Sequence, residues 1–214
     1  MESNLYIGLM TGTSIDGIDA AILDFSGTPK TIATLAHPIP EELRHLLHSL
    51  CTPETCKGSE IEAMGEADAW LGKVLADAVN ALLAKSGTER SAIRAIGCHG
   101  QTIRHRPGAK HPFTLQIGDP NTVSELTGIT VIGDLRRRDV AAGGQGAPLA
   151  PGFHSTLFQS QTQNRVLVNI GGIANISLLP AGEGNVTGYD TGPGNTLMDA
   201  WVRRHLGKDY DESG

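Results

Sequence analysis

The sequence predicts a mixed α/β fold in which an antiparallel β-β-β unit opens each of two domains, the second left incomplete. Two stretches carry that expectation. Residues 5–10, the turn Thr11-Gly12-Thr13-Ser14-Ile15-Asp16-Gly17 and residues 18–23 read as strand, glycine-hydroxyl turn, strand. Residues 165–170, the pair Gly171-Gly172 and residues 173–179 repeat the plan. Apolar residues recur at helical spacing between them, so strands alternate with helices.

The elements follow in order. Gly27-Thr28-Pro29 turns the chain into a third strand at 31–36. Residues 41–50 place Leu43, Leu46, Leu47 and Leu50 on one helical stripe, with Pro53 as the stop. Ser59 and Glu62 form an S-x-x-E capping box. Behind it Ile61, Met64, Leu71, Val74, Leu75, Ala78 and Leu82 recur at helical spacing until Ser86-Gly87. Residues 93–98, 113–117 and 130–133 predict short strands, with a short helix at 121–126. The glycine-rich, proline-ended run 141–148 is flexible in composition and marks the predicted boundary between a first domain, 1–150, and a second, 151–214. The second unit continues with a strand at 186–189, a turn at Gly192-Pro193-Gly194 and a helix at 195–206. A three-stranded sheet with one helix leaves an apolar face uncovered, so the 214 residues read as part of a longer protein.

Composition narrows the function classes. A net charge of -6 argues against a nucleic-acid surface. Cys51, Cys56 and Cys98 form no close CxxC pair, which argues against a disulfide framework or zinc knuckle and suits a reduced cytoplasm. With no membrane-length apolar run and no basic leader, neither a membrane anchor nor a signal peptide is expected.

The hairpin tips carry the first chemical signal. A turn that bares backbone N–H groups beside hydroxyls, without Cβ atoms at its glycines, suits a phosphate. An ordinary hairpin whose glycines only supply positive φ accounts for either tip alone. The first turn lacks G-x-x-x-x-G-K-[ST] and leads into a strand, so it is no P-loop. Asp190, between a strand and Gly-Pro-Gly, is either a carboxylate at a cleft mouth or a turn aspartate. Arg136, Arg137 and Arg138 lie between Asp134 and Asp139, the pattern of a solvated charge cluster. At strand-like positions the three point in alternate directions and cannot share one pocket. His99, His105 and His111 are six apart, a spacing that aligns on neither a helix nor a strand face and excludes a metal cluster.

Five motifs sharpen this reading: Gly8-Leu9-Met10-Thr11-Gly12-Thr13-Ser14-Ile15-Asp16-Gly17-Ile18-Asp19, Gly97-Cys98-His99-Gly100-Gln101-Thr102-Ile103-Arg104-His105, the run from Asp134 to Leu149 containing Arg-Arg-Arg and Gly-Gly-Gln-Gly-Ala-Pro, Asn169-Ile170-Gly171-Gly172-Ile173-Ala174-Asn175, and Asp190-Thr191-Gly192-Pro193-Gly194-Asn195. Together they resemble the anhydro-N-acetylmuramic acid kinase family, of the actin and hexokinase superfamily, over the N-terminal part of the family chain.

The resemblance implies an actin/hexokinase-like ATPase fold with ATP between duplicated domains. It also implies a cytoplasmic carbohydrate kinase of cell-wall sugar recycling. ATP phosphorylates the 6-oxygen of 1,6-anhydro-N-acetylmuramic acid while water opens the anhydro ring, giving N-acetylmuramic acid 6-phosphate and ADP. It implies Asp190 as the catalytic base, and Gly12, Thr13, Ser14, Asp16, Gly17, Asp19, Gly171 and Gly172 as ATP-binding. On the sugar side it implies Arg138, His99, Gln101, Thr102, Gly192 and Asn195. His99 reads equally as a structural histidine, and Asn195 reads first as a helix cap and only second as a sugar contact.

ATP is expected with Mg2+, whose protein ligands stay open. Many sugar kinases carry an aspartate at the end of the first strand, where this chain has Leu9, Met10 and Thr11, and Asp16 either meets the ion through water or caps the hairpin. The implied partners are ATP and an amino sugar, with no nucleic acid and no membrane, and a homodimer is left open. The alternatives are a kinase for another sugar or a phosphatase, and an inactive fragment or sugar-binding module lacking the half that covers adenine.

Overall fold

Period-two alternation sets the first strands. In β1 (Leu5–Thr11) Ile7, Leu9 and Thr11 are buried, while Tyr6, Gly8 and Met10 occupy the other face. β2 (Ile18–Asp24) buries Ile18, Ala20 and Ile22, and β3 (Lys30–His37) completes an antiparallel meander. The structure, a computed structural model, describes residues 3–52 and 58–212. Pro53, the expected helix stop, and Cys56 lie outside the described residues.

Two helices cover the core face of this sheet. α1 (Glu41–Cys51) buries Leu43, Leu47 and Leu50. α2 (Glu60–Ser86) opens with the Ser59 hydroxyl accepting from the Glu62 N–H at 3.4 Å and closes on Gly87 at φ 66. Its Leu71, Leu75 and Leu82 are fully buried, each contributing about 1.5–3 kcal/mol. Ile61, expected on that stripe, is 78% exposed, because it sits in the first turn and off the buried face.

After a single 3-10 turn, β4 (Ile93–Cys98) joins β1 in parallel, and β7 (Val131–Ile132) joins β4 in parallel. The five-stranded order is β3-β2-β1-β4-β7. β5 (Gln101–Arg106) and β6 (Phe113–Ile117) form a separate antiparallel hairpin. β5 escapes the sequence reading because Ile103 is its one aliphatic residue, so the alternation is written mostly in polar side chains. α3 (Pro120–Thr127) is capped by the Asp119 carboxylate, which accepts from the N–H groups of Asn121 and Thr122.

α4 (Arg137–Ala141) corrects the strand-like reading of the arginines: the chain reverses at Asp134, φ 55, and Arg137 and Arg138 fall in a helical turn. The chain then divides into two units, Met1–Gly146 and Ala147–Gly214.

The second unit begins with α5 (Ala150–Phe158), which the sequence hides because Pro151 and Gly152 are poor helix formers; Pro151 is tolerated in the first turn, where its missing N–H has no partner to lose. β8 (Arg165–Ile170), β9 (Ile173–Leu179) and β10 (Thr187–Pro193) form a sheet of order β10-β9-β8, the same third-second-first antiparallel sequence that opens the first unit. α5 packs on β9, where His154 and Ser177 are hydrogen-bonded at 2.8 Å. Gly188 leaves room there, since a Cβ would lie 2.6 Å from Pro151.

β10 runs further than expected: Gly192 and Pro193, anticipated as a turn, pair with Ala174 and Ile173. An edge strand admits proline because the missing N–H faces away from the ladder. α6 (Thr196–Leu206) follows. Val166, Val168, Ile170 and Tyr189 stay exposed on the face of this sheet opposite Ser177. No helix among the described residues is long and apolar enough to cross a membrane.

Candidate functional site

In the first unit the glycine-hydroxyl turn is pinned from below. Ile15 adopts φ 55, unfavourable for a β-branched residue at about 1–3 kcal/mol, yet its side chain is 1% exposed. Burial of an isoleucine contributes about 1.5–3 kcal/mol, enough to offset the strain. The Ile15 N–H donates to Gly12 O at 3.2 Å. Thr13, Ser14 and Asp16 are consequently presented outward, and Asp19, opposite Met10 in the ladder, is exposed on the face away from the core. Gly17 sits where a Cβ would be 3.2 Å from His37 O.

The floor of this turn is joined to the next motif through one carbonyl. Gly100 O accepts from Thr11 Oγ1 and from His99 Nδ1, both at 2.7 Å. His99 Nε2 in turn accepts from Arg136 Nε at 2.7 Å, which fixes the neutral Nδ1–H tautomer. Burial, with Arg136 adding to it, holds the His99 pKa below its ordinary value. The Arg136 Nη1 donates to Gly146 O at 2.7 Å, and the Asp139 carboxylate accepts from the Gly146 N–H at 2.7 Å. Gly146, within the glycine run, is therefore held at both its N–H and its carbonyl. A Cβ at Gly144 would overlap the Asp139 carboxylate and displace it from the Gly146 N–H.

The other predicted contacts of this unit fall unevenly. Gln101 is 1% exposed with its Oε1 lacking a partner, and Thr102 Oγ1 accepts from Gln116 Nε2 at 3.1 Å. Arg138 is exposed, and Arg137 pairs with Asp134 at 2.8 Å. Arg136, half-buried between His99 and Gly146, makes no ion pair among the described residues. Nothing in the charge-balanced arginine run distinguishes it; only the fold does. A pocket of about 120 Å³ lies against His99, Gln116, Asp134 and Arg137. Cys98 also borders it, but burial pushes that thiol up to about 11, so it stays protonated and is no nucleophile near neutral pH.

In the second unit Asp190 lies exposed on β10, opposite Asn175, where the register slips between Asp190 and Gly192. Such a bulge bends the strand and re-aims its side chains. Thr191 Oγ1 donates to Ala174 O at 3.1 Å, and Gly192 has φ 147, a conformation that favours glycine. The Gly171-Gly172 tip is laced to the start of α6: Gly194 N to Gly172 O and Asn195 N to Gly171 O, both 2.9 Å, with Thr196 Oγ1 to Gly172 O at 2.5 Å. A Cβ at Gly194 would overlap Gly171 O. Asn195 occupies the helix-cap position, but its side chain makes no capping hydrogen bond. Among the described residues no group of three or more His, Cys, Asp or Glu side chains is placed to hold a metal ion.

Comparison with known proteins adds independent findings. The family described as anhydro-N-acetylmuramic acid kinase matches residues 4–214. A Saccharophagus degradans protein of that description is 53% identical over all of this chain and 58% of its own length. One from Coxiella burnetii is 54% identical over all of this chain and 57% of its own. The chain thus spans somewhat more than half the length of these curated relatives. Among solved structures, a reductive activator for a corrinoid, iron-sulfur protein superposes with a TM-score of 0.45 at 14% identity, over 90% of this chain and 32% of that one.

Proposed function

Because this chain belongs to the anhydro-N-acetylmuramic acid kinase family, we propose that the protein it represents transfers the γ-phosphoryl group of ATP to the 6-oxygen of 1,6-anhydro-N-acetylmuramic acid with hydrolytic opening of the ring. The products are N-acetylmuramic acid 6-phosphate and ADP. The domain assignment is a first actin-like domain, 1–150, carrying the nucleotide turn and sugar-site loops, and the start of a second at 151–214.

The observation that carries the mechanism is Asp190 at a strand bulge beside a hairpin tip that is glycine at both residues. Asp190 takes a proton from water as that water attacks the anomeric carbon; the C1–O6 bond breaks with its electron pair on O6, and O6 receives the phosphoryl group. Backbone N–H groups and hydroxyls at Gly12, Thr13, Ser14 and Gly17, with Gly171 and Gly172, receive phosphate oxygens. The outward Thr13 and Ser14 hydroxyls suit that assignment, whereas the exposed carboxylates of Asp16 and Asp19 would meet a phosphate only through a cation or water.

Magnesium bound with ATP would neutralise phosphate charge; the residues fit an ion carried mainly by phosphates and water, with exposed Asp16 as a candidate contact through water. Arg138, His99, Gln101, Thr102, Gly192 and Asn195 form the proposed sugar side. Exposed Arg138 suits direct contact with the lactyl carboxylate, whereas buried Gln101 suits support of its neighbours. A cytoplasmic location and a place in peptidoglycan recycling follow from this activity.

The test measures ADP release, with and without the anhydro sugar, from this segment continued by the remaining part of the Saccharophagus degradans relative. Sugar-dependent release that Asp190→Asn abolishes is the expected result. Near-parental turnover by Asp190→Asn removes the base assignment, and release indifferent to the sugar removes the substrate. A second reading, that the 214-residue chain alone is an inactive fragment or a sugar-binding module, draws on the exposed Val166, Val168 and Ile170 face. The same assay on the isolated chain decides it.

A further inference from the structure

The register of the second sheet places three polar side chains in one row. Asn169 of β8 pairs with Asn175 of β9, and Asn175 pairs with Asp190 of β10, so all three project from the same face. That face also carries Ser177 and Gly188, the row on which α5 packs. The opposite face at this level is apolar, with Val168, Ile176 and Tyr189 in register. Among the described residues none of the three side chains in the polar row makes a hydrogen bond, although Ser177 beside them does. One small molecule that both donates and accepts hydrogen bonds can satisfy an unpaired carboxylate and the unpaired amide directly opposite it.

We propose that Asn175 orients the water that Asp190 deprotonates, an inference that rests on Asp190 being the base. Cβ atoms of directly opposed residues lie about 4.5–5.5 Å apart. One water therefore reaches both side chains, donating one O–H to Asp190 and the other to the Asn175 carbonyl oxygen. With both protons engaged, its lone pair points away from the sheet towards the anomeric carbon. On attack the first proton passes to Asp190, the new C–O bond forms as the C1–O6 bond breaks, and the hydrogen bond to Asn175 persists. Asn169 lies a further strand away, about 10 Å from Asp190 at ordinary strand spacing, and does not reach this water.

The experiment uses the same full-length fusion. Asn175→Ala is expected to lower kcat about 10- to 100-fold, with KM for ATP changed less than about 2-fold, the penalty of a misplaced nucleophile. Asn169→Ala keeps parental kcat. Asn175→Asp restores an acceptor oxygen and sets a like charge beside the base, so kcat recovers at high pH while the acid limb of its pH profile moves upward. Parental kcat in Asn175→Ala, with Asp190→Asn inactive, overturns this inference and leaves the base assignment standing. Equal loss in Asn175→Ala and Asn175→Asp with an unmoved acid limb also overturns it. Activity in Asp190→Asn removes the base, and this inference falls with it.

Discussion

Gly100 is the point where the proposed phosphate turn and His99 share one acceptor, and replacing it by alanine tests that construction. Its φ is 68, and a Cβ would overlap the Ile117 carbonyl oxygen and lie 3.1 Å from the carbonyl carbon. Left-handed backbone costs an alanine about 1–2 kcal/mol. The overlap is with backbone, which cannot rotate aside, so strain of about 1–3 kcal/mol is added, as in an overpacked core. Together these predict a loss of about 2–5 kcal/mol.

Gly97→Ala, three residues earlier, is the control: its Cβ would find only Ile7 O, at 3.9 Å, and its stability should stay within about 0.5 kcal/mol of the parent. The assay is urea unfolding followed by tryptophan fluorescence. Trp70 packs against the core of the first unit and Trp201 is exposed in the second, so a Trp201→Phe background reports the first unit alone. At about 1–3 kcal/mol per molar urea, Gly100→Ala should lower the midpoint by about 0.7 M or more. Equal midpoints for the two alanine variants would refute the reasoning.

Two further outcomes follow from the same network. Thr11→Val removes a buried hydroxyl from Gly100 O but leaves that carbonyl its bond from His99, so the expected loss is about 1 kcal/mol in the same urea assay, and a loss above about 3 kcal/mol counts against the shared-acceptor geometry. His99 is held neutral below its ordinary value near 6.5, so the unfolded chain binds the proton first: the contribution is full above pH 6.5 and declines as pH falls below it. The stability advantage of the parent over His99→Phe should shrink on acidification, by at most about 1.4 kcal/mol per pH unit, and an advantage independent of pH between 7.5 and 5 would show His99 to be unperturbed.

Elements whose signals are local are legible from the residues alone. Alternating apolar residues set β1 and β2, an S-x-x-E box and a closing glycine set α2, and Gly171-Gly172 between apolar runs set the second hairpin. Those signals are legible because strand, turn and cap chemistry act over a few residues. The sequence left β5 and α5 unseen, since one is polar along its length and the other starts on proline and glycine.

Which arginine His99 holds depends on contacts between residues far apart in the chain. Arg136, Arg137 and Arg138 are indistinguishable as sequence, and a reversal at Asp134 plus the approach of Gly146 turns one of them inward. Only the sheet register put Asn175 beside Asp190, fifteen residues apart in the chain, because a shift of one position would send one of them to the opposite face.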